Sequence, residues 1–93
     1  MRVRNMVDTS NLKCNCQKSD GSWLSHWSIQ KNAPIPKYCS TDGCLNEVEI
    51  GAHVVAFHSE DHTPFIVPIC HECSVKAISF EVDDHMLASA DCK

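Results

Sequence analysis

The chain has 93 residues, of which 43% are hydrophobic and 6% aromatic, and its formal net charge at pH 7 is −4. A chain of this length buries only about 60–70% of the surface that its unfolded form exposes, so domains of this size often rely on a metal ion or on disulfides. No stretch approaches the roughly 20 apolar residues that a membrane-spanning helix requires. We therefore expect no membrane association.

The cysteine content is the most informative part of the composition, with seven in the chain. The first residues lack an apolar run long enough for the core of a signal peptide, so we expect a cytoplasmic protein. Thiols stay reduced in that compartment, and clustered cysteines there more often bind a metal ion than form disulfides. The odd number agrees, because a complete set of disulfides would leave one thiol over.

Charge is unevenly distributed along the chain. Residues 1–38 carry six Lys or Arg against two Asp, a net charge of +4, whereas residues 39–93 carry two Lys against ten acidic residues, a net charge of −8. An acidic surface repels a phosphate backbone, whose binding requires clustered Lys and Arg. Contact with nucleic acid is therefore expected only from the N-terminal part, and the acidic part is interpreted as a solvated face.

The N-terminal part, residues 1–30, is predicted to be an arm with one short helix. Trp23, Leu24 and Trp27 have the spacing of one helix face, and Ser22 is a suitable residue to begin that helix. These apolar side chains are expected to pack on the rest of the protein. We therefore expect one domain, residues 1–93, rather than two.

A cysteine-rich unit, residues 39–93, follows two prolines in residues 31–37 that favour extended backbone. Its β-rich runs, residues 51–57 and 65–70, predict a hairpin around the polar loop 58–64. Pro68 indicates an edge position or the end of the second strand. Three further elements are predicted: a helix from about His71 to Ile78, a strand over residues 79–83, and a final helix over residues 84–91 capped by Asp83 or Asp84.

Two pairs of cysteines bracket this predicted hairpin. Four residues separate Cys39 from Cys44, and two separate Cys70 from Cys73. Both spacings are typical of zinc sites, in which a tight turn brings two sulfurs to within about 2.3 Å of one ion. Gly43 can adopt the positive φ that such a turn often needs. The pattern predicts one Zn²⁺ ion held by all four cysteines.

A second metal site is an additional hypothesis, with Cys14, Cys16, His26 and His53 as its candidate ligands. The single residue between Cys14 and Cys16 makes a strained chelate, so these two cysteines are alternatively free thiols or small apolar groups. Cys92 lies beside the C-terminus and is expected to be unbound. The remaining histidines considered, His58, His62 and His85, are interpreted as exposed polar residues.

Residues 37–80 resemble the HNH endonuclease family and, more broadly, the treble-clef zinc finger on which it is built. The resemblance rests on the order of the motifs: paired cysteines, Gly51-Ala-His-Val54 on a strand, a loop, a strand ending in Ile66-Val-Pro-Ile-Cys70, and then Cys73. It implies an α+β fold, a small zinc-binding treble-clef/HNH-like domain of a β-hairpin plus a helix, with the N-terminal arm packed on it. It also implies a structural zinc ion on the four cysteines.

In the HNH family a histidine at the end of the first strand acts as the general base, and residues on the helix help to bind a catalytic divalent metal. His53 corresponds to that base by position. The motif is incomplete, because Ala52 stands where the family usually has an acidic residue and Ser74 where it usually has Asn. The later metal-binding residue of the helix has no counterpart among residues 76–78.

Three functions are compatible with these features. The first is a zinc-stabilised HNH-like binding module without catalysis, whose partner is a protein or a nucleic acid. The second is a metal-dependent HNH-type endonuclease that uses His53. The third is nucleic-acid binding through the basic arm, with Trp23, His26 and Trp27 as stacking groups. Glycine-rich phosphate loops and the hydrolase motifs G-x-S-x-G and H-E-x-x-H are absent from the sequence.

Overall fold

A computed structural model describes residues 1–6, 22–58 and 63–90. In these residues the elements are β1 (Arg2–Asn5), α1 (Trp23–Lys31), β2 (Ile50–Ala56), β3 (Phe65–Ile69), α2 (His71–Ser74), β4 (Phe80–Glu81), a 3-10 turn (Asp84–Met86) and β5 (Ala88–Ser89). The strands form one antiparallel sheet in the order β4-β1-β2-β3-β5. The protein is therefore α+β, as predicted.

The hairpin of β2 and β3 is the centre of the sheet, and both strands begin within a residue of their predicted positions. Its register runs from the pair Ile50 and Ile69 to the pair Val54 and Phe65. β5 pairs only with the first two residues of β3, so Pro68 lies beyond the end of that ladder. This explains how a proline, which has no N–H to donate, is tolerated in an inner strand.

Helix α1 begins as predicted. The Ser22 side chain caps it by accepting a hydrogen bond from the Ser25 backbone N–H, and Asn32 ends it in the left-handed conformation at φ 51°. The helix packs on β2, β3 and β5. Its backbone comes so close to Gly51 that a Cβ there would lie 2.7 Å from the Trp23 carbonyl carbon. No helix in the described parts of the chain is long and apolar enough to cross a membrane.

The two faces of the sheet are covered by different elements. Side chains alternate between faces along a strand, and His53 contacts Trp23 of α1. Its neighbours Ala52 and Val54 belong instead to the core cluster that contains three of the paired cysteines. Helix α1 therefore covers one face of β2, and the cysteine-rich segments cover the other.

Strand β1 was not predicted. It lies between β2 and β4, and the side chain of its Val3 is completely buried. Val3 alternates there with Arg2 and Arg4, but a run of four residues is too short to mark a strand from the sequence. The first residues of the arm are thus part of the sheet.

Two helix predictions were wrong. α2 ends at Ser74 instead of Ile78, and the carbonyls of Cys73 and Lys76 accept hydrogen bonds from the Asn5 side chain at 2.9 and 3.0 Å. The Cys73 carbonyl is one that a helix running to Ile78 would have used in its own ladder of hydrogen bonds. The final helix over residues 84–91 is replaced by the 3-10 turn and β5, because Ala88 pairs with Ile66 in the sheet.

Candidate metal centre

The four paired cysteines converge. The sulfur atoms of Cys39, Cys44, Cys70 and Cys73 all lie within 4.8 Å of one another. The Cys44 sulfur is 3.8 Å from that of Cys70 and 3.9 Å from that of Cys73. Four sulfurs placed tetrahedrally at about 2.3 Å from a zinc ion are separated by about 3.8 Å. The arrangement thus has the dimensions of a tetrahedral thiolate site, and all four cysteines are free of disulfides.

The first pair of cysteines lies on a tight turn between two short extended segments. The backbone N–H of Cys39 donates to the Asn46 carbonyl at 2.8 Å, and that of Cys44 donates to the Thr41 carbonyl at 3.0 Å. Gly43 takes a φ of 79°, a backbone conformation that residues other than glycine rarely adopt. The turn chemistry expected from the sequence is therefore present.

The second pair lies at the junction of β3 and α2, as expected. Cys70 is the N-cap of α2, and its sulfur accepts a hydrogen bond of 3.5 Å from the backbone N–H of Cys73. A Glu49 carboxylate oxygen accepts the backbone N–H of His71 at 2.9 Å and so occupies another unpaired donor of the first helical turn. The junction thus aims the Cys73 N–H at the Cys70 sulfur, which favours the thiolate form of Cys70.

Asn46 also contacts the cysteine cluster, and the sequence did not lead us to expect this. Its side-chain nitrogen lies 3.5 Å from the Cys70 sulfur and 3.5 Å from a carboxylate oxygen of Glu72. Burial disfavours ionisation of Cys70, but the Cys73 N–H and the Asn46 amide outweigh burial and lower the pKa of Cys70 to about 7. Its position two residues after Cys44 was the available signal, since polar side chains beside ligands commonly orient them.

The pKa values of Cys44 and Cys73 are raised, so these two thiols resist ionisation while no cation balances them. Burial raises the pKa of Cys73 to about 12, and the nearby sulfurs of Cys70 and Cys39 act in the same direction. Four thiols this close cannot all be ionised without a positive charge between them, because like charges disfavour each other. A divalent cation between the sulfurs would offset this repulsion between thiolates. The electrostatics of the cluster therefore favour a bound cation, as the distances between the sulfurs do.

Two buried hydroxyl groups fit the same interpretation. The side-chain oxygens of Ser40 and Thr41 are buried without a hydrogen-bond partner in the described parts of the chain. The Thr41 hydroxyl is nevertheless close enough to Cys73 to favour its thiolate. A charged thiolate is a better acceptor for such a donor than a neutral thiol. The four sulfurs suit a thiophilic ion, and they form the only group of metal-ligating side chains found in residues 1–6, 22–58 and 63–90.

His53 lies inside β2, whereas the base histidine of the HNH family lies at the end of its strand. The side chain is only 7% exposed, and the Trp23 ring meets it edge-on with 4.3 Å between ring centroids. Burial, with a smaller contribution from the charge of His26, lowers the pKa of His53. His53 therefore remains neutral near pH 7, on the face of the sheet opposite the four cysteines.

The other candidate ligands are only partly described. His26 is buried; its Nε2 lies 2.7 Å from the Ser89 carbonyl oxygen, and its ring contacts Trp23 with 5.1 Å between centroids. His26 and His53 thus touch the same indole. Cys14 and Cys16 lie outside the described residues, so the second metal site stays a prediction. His58 and His85 are exposed as predicted, and His62 and Cys92 also lie outside the described residues.

The proposed stacking groups of the arm face the interior to different degrees. Trp27 is 3% exposed, and its indole N–H donates to the Met86 carbonyl at 2.8 Å. Trp23 is half-buried between the two histidine rings. A base can stack only on an exposed ring face, so Trp27 acts as a core residue.

An open cleft of about 620 Å³ borders the cysteine cluster and is strongly acidic. It is lined by Asn46, Glu47, Glu49, Cys70, His71 and Glu72. Three carboxylates and no Lys or Arg lie in this lining. The cleft brings solvent to the edge of the cluster beside Cys70.

Comparison with known proteins found no matching family, no matching curated protein and no matching solved structure, so the HNH-like resemblance rests on the residues of this chain.

Proposed function

We propose that the protein is a single-domain, zinc-stabilised binding module of the treble-clef, HNH-like type, and that it is not a catalyst. The observation that carries the proposal is the convergence of four cysteine sulfurs within 4.8 Å. Cys39, Cys44, Cys70 and Cys73 would hold one structural Zn²⁺ ion as a closed tetrahedral site. A reducing compartment would keep their thiols available.

The order of the elements supports the treble-clef assignment. A turn that presents Cys39 and Cys44 comes first, the β2–β3 hairpin follows, and the first turn of α2 presents Cys70 and Cys73. A metal ion bound there joins segments about 25 residues apart in the chain. Structural zinc contributes on the order of 10–16 kcal/mol of apparent binding free energy, which is comparable to the whole stability of a small domain.

The proposal of a non-catalytic role rests on the surroundings of His53. A general base must come within hydrogen-bond reach of the proton that it removes, and Trp23 covers the His53 ring. A catalytic metal also needs ligands with open coordination positions beside the base. Helix α2 lies on the side of the cysteine cluster, whereas His53 points to the opposite face of the sheet.

A protein is the partner that the charge favours. The cysteine-rich unit would have a net charge of about −10 with its thiolates and metal ion in place, and its open cleft is lined by carboxylates. The alternative, nucleic-acid binding through the basic arm, is tested by binding to single-stranded DNA at several salt concentrations. Salt-sensitive binding that is lost on charge reversal of Lys13 and Lys18 supports the alternative. Absent or salt-independent binding excludes it.

Chelation tests the structural role of the metal. The zinc-loaded protein is treated with a strong zinc chelator, metal removal is verified by elemental analysis, and far-UV circular dichroism and melting curves are recorded. We expect loss of the native spectrum and of the cooperative melting transition, with recovery on addition of Zn²⁺. An unchanged spectrum and melting curve after verified removal contradicts the proposal.

The endonuclease alternative has a direct assay. Plasmid cleavage is measured with Mg²⁺ or Mn²⁺ for the wild type and for His53→Ala. We expect no cleavage by either protein. Metal-dependent cleavage by the wild type that is abolished in His53→Ala would establish the nuclease and overturn the non-catalytic role.

A further inference from the structure

The four cysteines differ in their access to solvent. Cys39, Cys70 and Cys73 are 7%, 2% and 1% exposed, whereas Cys44 is only partly buried. The residue that follows it, Leu45, is 85% exposed. A small oxidant therefore meets the Cys44 sulfur first. Thiolates outside the protein interior are the ones that peroxides attack.

We propose that Cys44 is a site of oxidation by peroxide, and that it forms a disulfide with Cys70 that dismantles the metal centre. This inference rests on the proposed function, because it assigns a regulation to the same four cysteines. The reacting class of oxidant is a hydroperoxide, of which hydrogen peroxide is the simplest.

The geometry selects Cys70 as the second cysteine. Its sulfur lies 3.8 Å from that of Cys44, whereas a disulfide bond is about 2.05 Å long, so the two must approach by less than 2 Å. The Cys70 sulfur receives hydrogen bonds from the Asn46 amide and from the Cys73 N–H. Cys70 is also the one cysteine in the lining of the open cleft.

Cys73 is the competing candidate, at 3.9 Å from Cys44. Both residues are buried, with Cys70 at 2% and Cys73 at 1% exposure, but only Cys70 lies in the lining of the cleft. The backbone of Cys73 donates to Cys70, whereas Cys70 offers no N–H to the Cys73 sulfur in return. The arrangement therefore favours Cys70 as the attacking thiolate.

The chemistry is a two-electron oxidation of two thiolates. The Cys44 thiolate attacks one peroxide oxygen, the O–O bond breaks, and a sulfenic acid and hydroxide form. The Cys70 thiolate then attacks the Cys44 sulfur, which forms the S–S bond and expels a second hydroxide. Two protons from solvent convert both hydroxides to water. Peroxide is reduced, the two sulfurs are oxidised, and the metal ion keeps its charge of 2+.

The disulfide would leave Cys39 and Cys73 as the only thiolates of the centre. Two ligands hold zinc far more weakly than the four of a closed structural site. Oxidation would therefore release the ion and destabilise the turn that carries Cys39 and Cys44. A dithiol reductant together with Zn²⁺ would restore the original state.

The test uses the full zinc-loaded chain with hydrogen peroxide. Zinc release is followed with a chromogenic chelator, remaining thiols are alkylated at intervals, and disulfides are mapped by peptide mass spectrometry. A dione reagent traps the first sulfenic acid. We expect the first adduct on Cys44 and a Cys44–Cys70 disulfide that grows in step with zinc release. Cys92→Ser is the matched control and should release zinc at the wild-type rate.

Three results would overturn the proposal: a first adduct on another cysteine of the centre, a disulfide that pairs Cys44 with Cys39 or Cys73 while Cys70 stays reduced, or zinc release without any disulfide. The adduct and the disulfide map are both read on the wild type, so they decide the matter without any variant of the four cysteines. Absence of zinc before peroxide is added is a different failure. That result refutes the proposed function. The disulfide map then tests only whether Cys44 pairs with Cys70.

Discussion

The indole of Trp23 lies edge-on against the imidazole of His53, with 4.3 Å between the ring centroids. This contact joins helix α1, from the first third of the chain, to the central strand of the sheet. It also covers the one residue to which the HNH resemblance assigns a catalytic role. A contact that buries a histidine has consequences for stability as well as for function.

The buried His53 makes the fold sensitive to acid. Burial lowers its pKa below the ordinary value of 6.5, so the unfolded chain takes up this proton at a higher pH than the folded protein. The contribution of His53 to stability is therefore complete above pH 6.5 and is lost as the pH falls from there towards the lower folded-state pKa. One proton changes the free energy of unfolding by at most about 1.4 kcal/mol per pH unit.

Urea unfolding between pH 8 and pH 5.5 measures this effect. We expect the wild type to lose more stability below pH 6.5 than His53→Gln, which cannot take up the proton. Protonation of the four clustered cysteines affects both proteins equally and cancels in the comparison. Parallel pH profiles for the two proteins would show that His53 is not the group responsible.

Gly51 permits the close approach of α1 to β2. A Cβ at this position would lie 2.7 Å from the Trp23 carbonyl carbon and 2.8 Å from the Leu24 nitrogen, and backbone atoms cannot move aside cheaply. Gly51→Ala should therefore lower the free energy of unfolding by about 1–3 kcal/mol. Chemical denaturation provides the measurement.

Ile50→Val is the control for this substitution in the same strand. Ile50 is 37% exposed, and the change should cost less than about 1 kcal/mol. If Gly51→Ala were no more destabilising than Ile50→Val, the backbone of α1 would not lie as close to Gly51 as described.

Asn46 orients and stabilises the Cys70 thiolate. Removing its amide in Asn46→Ala takes away one donor to the sulfur and should weaken zinc binding by about 10–100-fold. Competition with a chelator of known affinity measures the change. Leu45→Ala alters the adjacent, 85% exposed residue and should leave the affinity unchanged. Equal zinc affinities of Asn46→Ala and the wild type would show that Asn46 does not stabilise the metal centre.

The candidate second metal site is tested by counting the zinc ions bound per chain. If Cys14, Cys16, His26 and His53 bind zinc together, the wild type carries two ions per chain. Cys14→Ser/Cys16→Ser then carries one, with the first ion unaffected. A stoichiometry of one in the wild type, unchanged in the double variant, eliminates this site.

The cysteine centre could be predicted because its signals are local. Two short ligand spacings, Gly43 in a turn and a strand-to-helix junction at Cys70 are all visible within a few residues. The start of α1 at Ser22 is predictable for the same reason, since a cap acts on the next three residues. Features of this kind do not depend on what the rest of the chain does.

The parts that could not be predicted depend on distant partners. β1 exists because Val3 pairs with Ala56 on one side and with Phe80 on the other. At the end of the chain the predicted Asp83 cap is present, and its carboxylate accepts the His85 N–H at 2.9 Å. The helix nevertheless stops after one turn, because pairing with β3 draws the following residues into the sheet.

Metal stoichiometry by mass spectrometry under non-denaturing conditions tests the central claim most directly. The wild type, Cys73→Ala and Cys92→Ser are purified identically, without added metal, and compared. If the four paired cysteines hold one zinc ion, the Cys73→Ala protein carries one ion fewer than the wild type, while Cys92→Ser carries the same number. A wild-type protein free of zinc, or a Cys73→Ala protein that retains the full wild-type complement, would contradict the account.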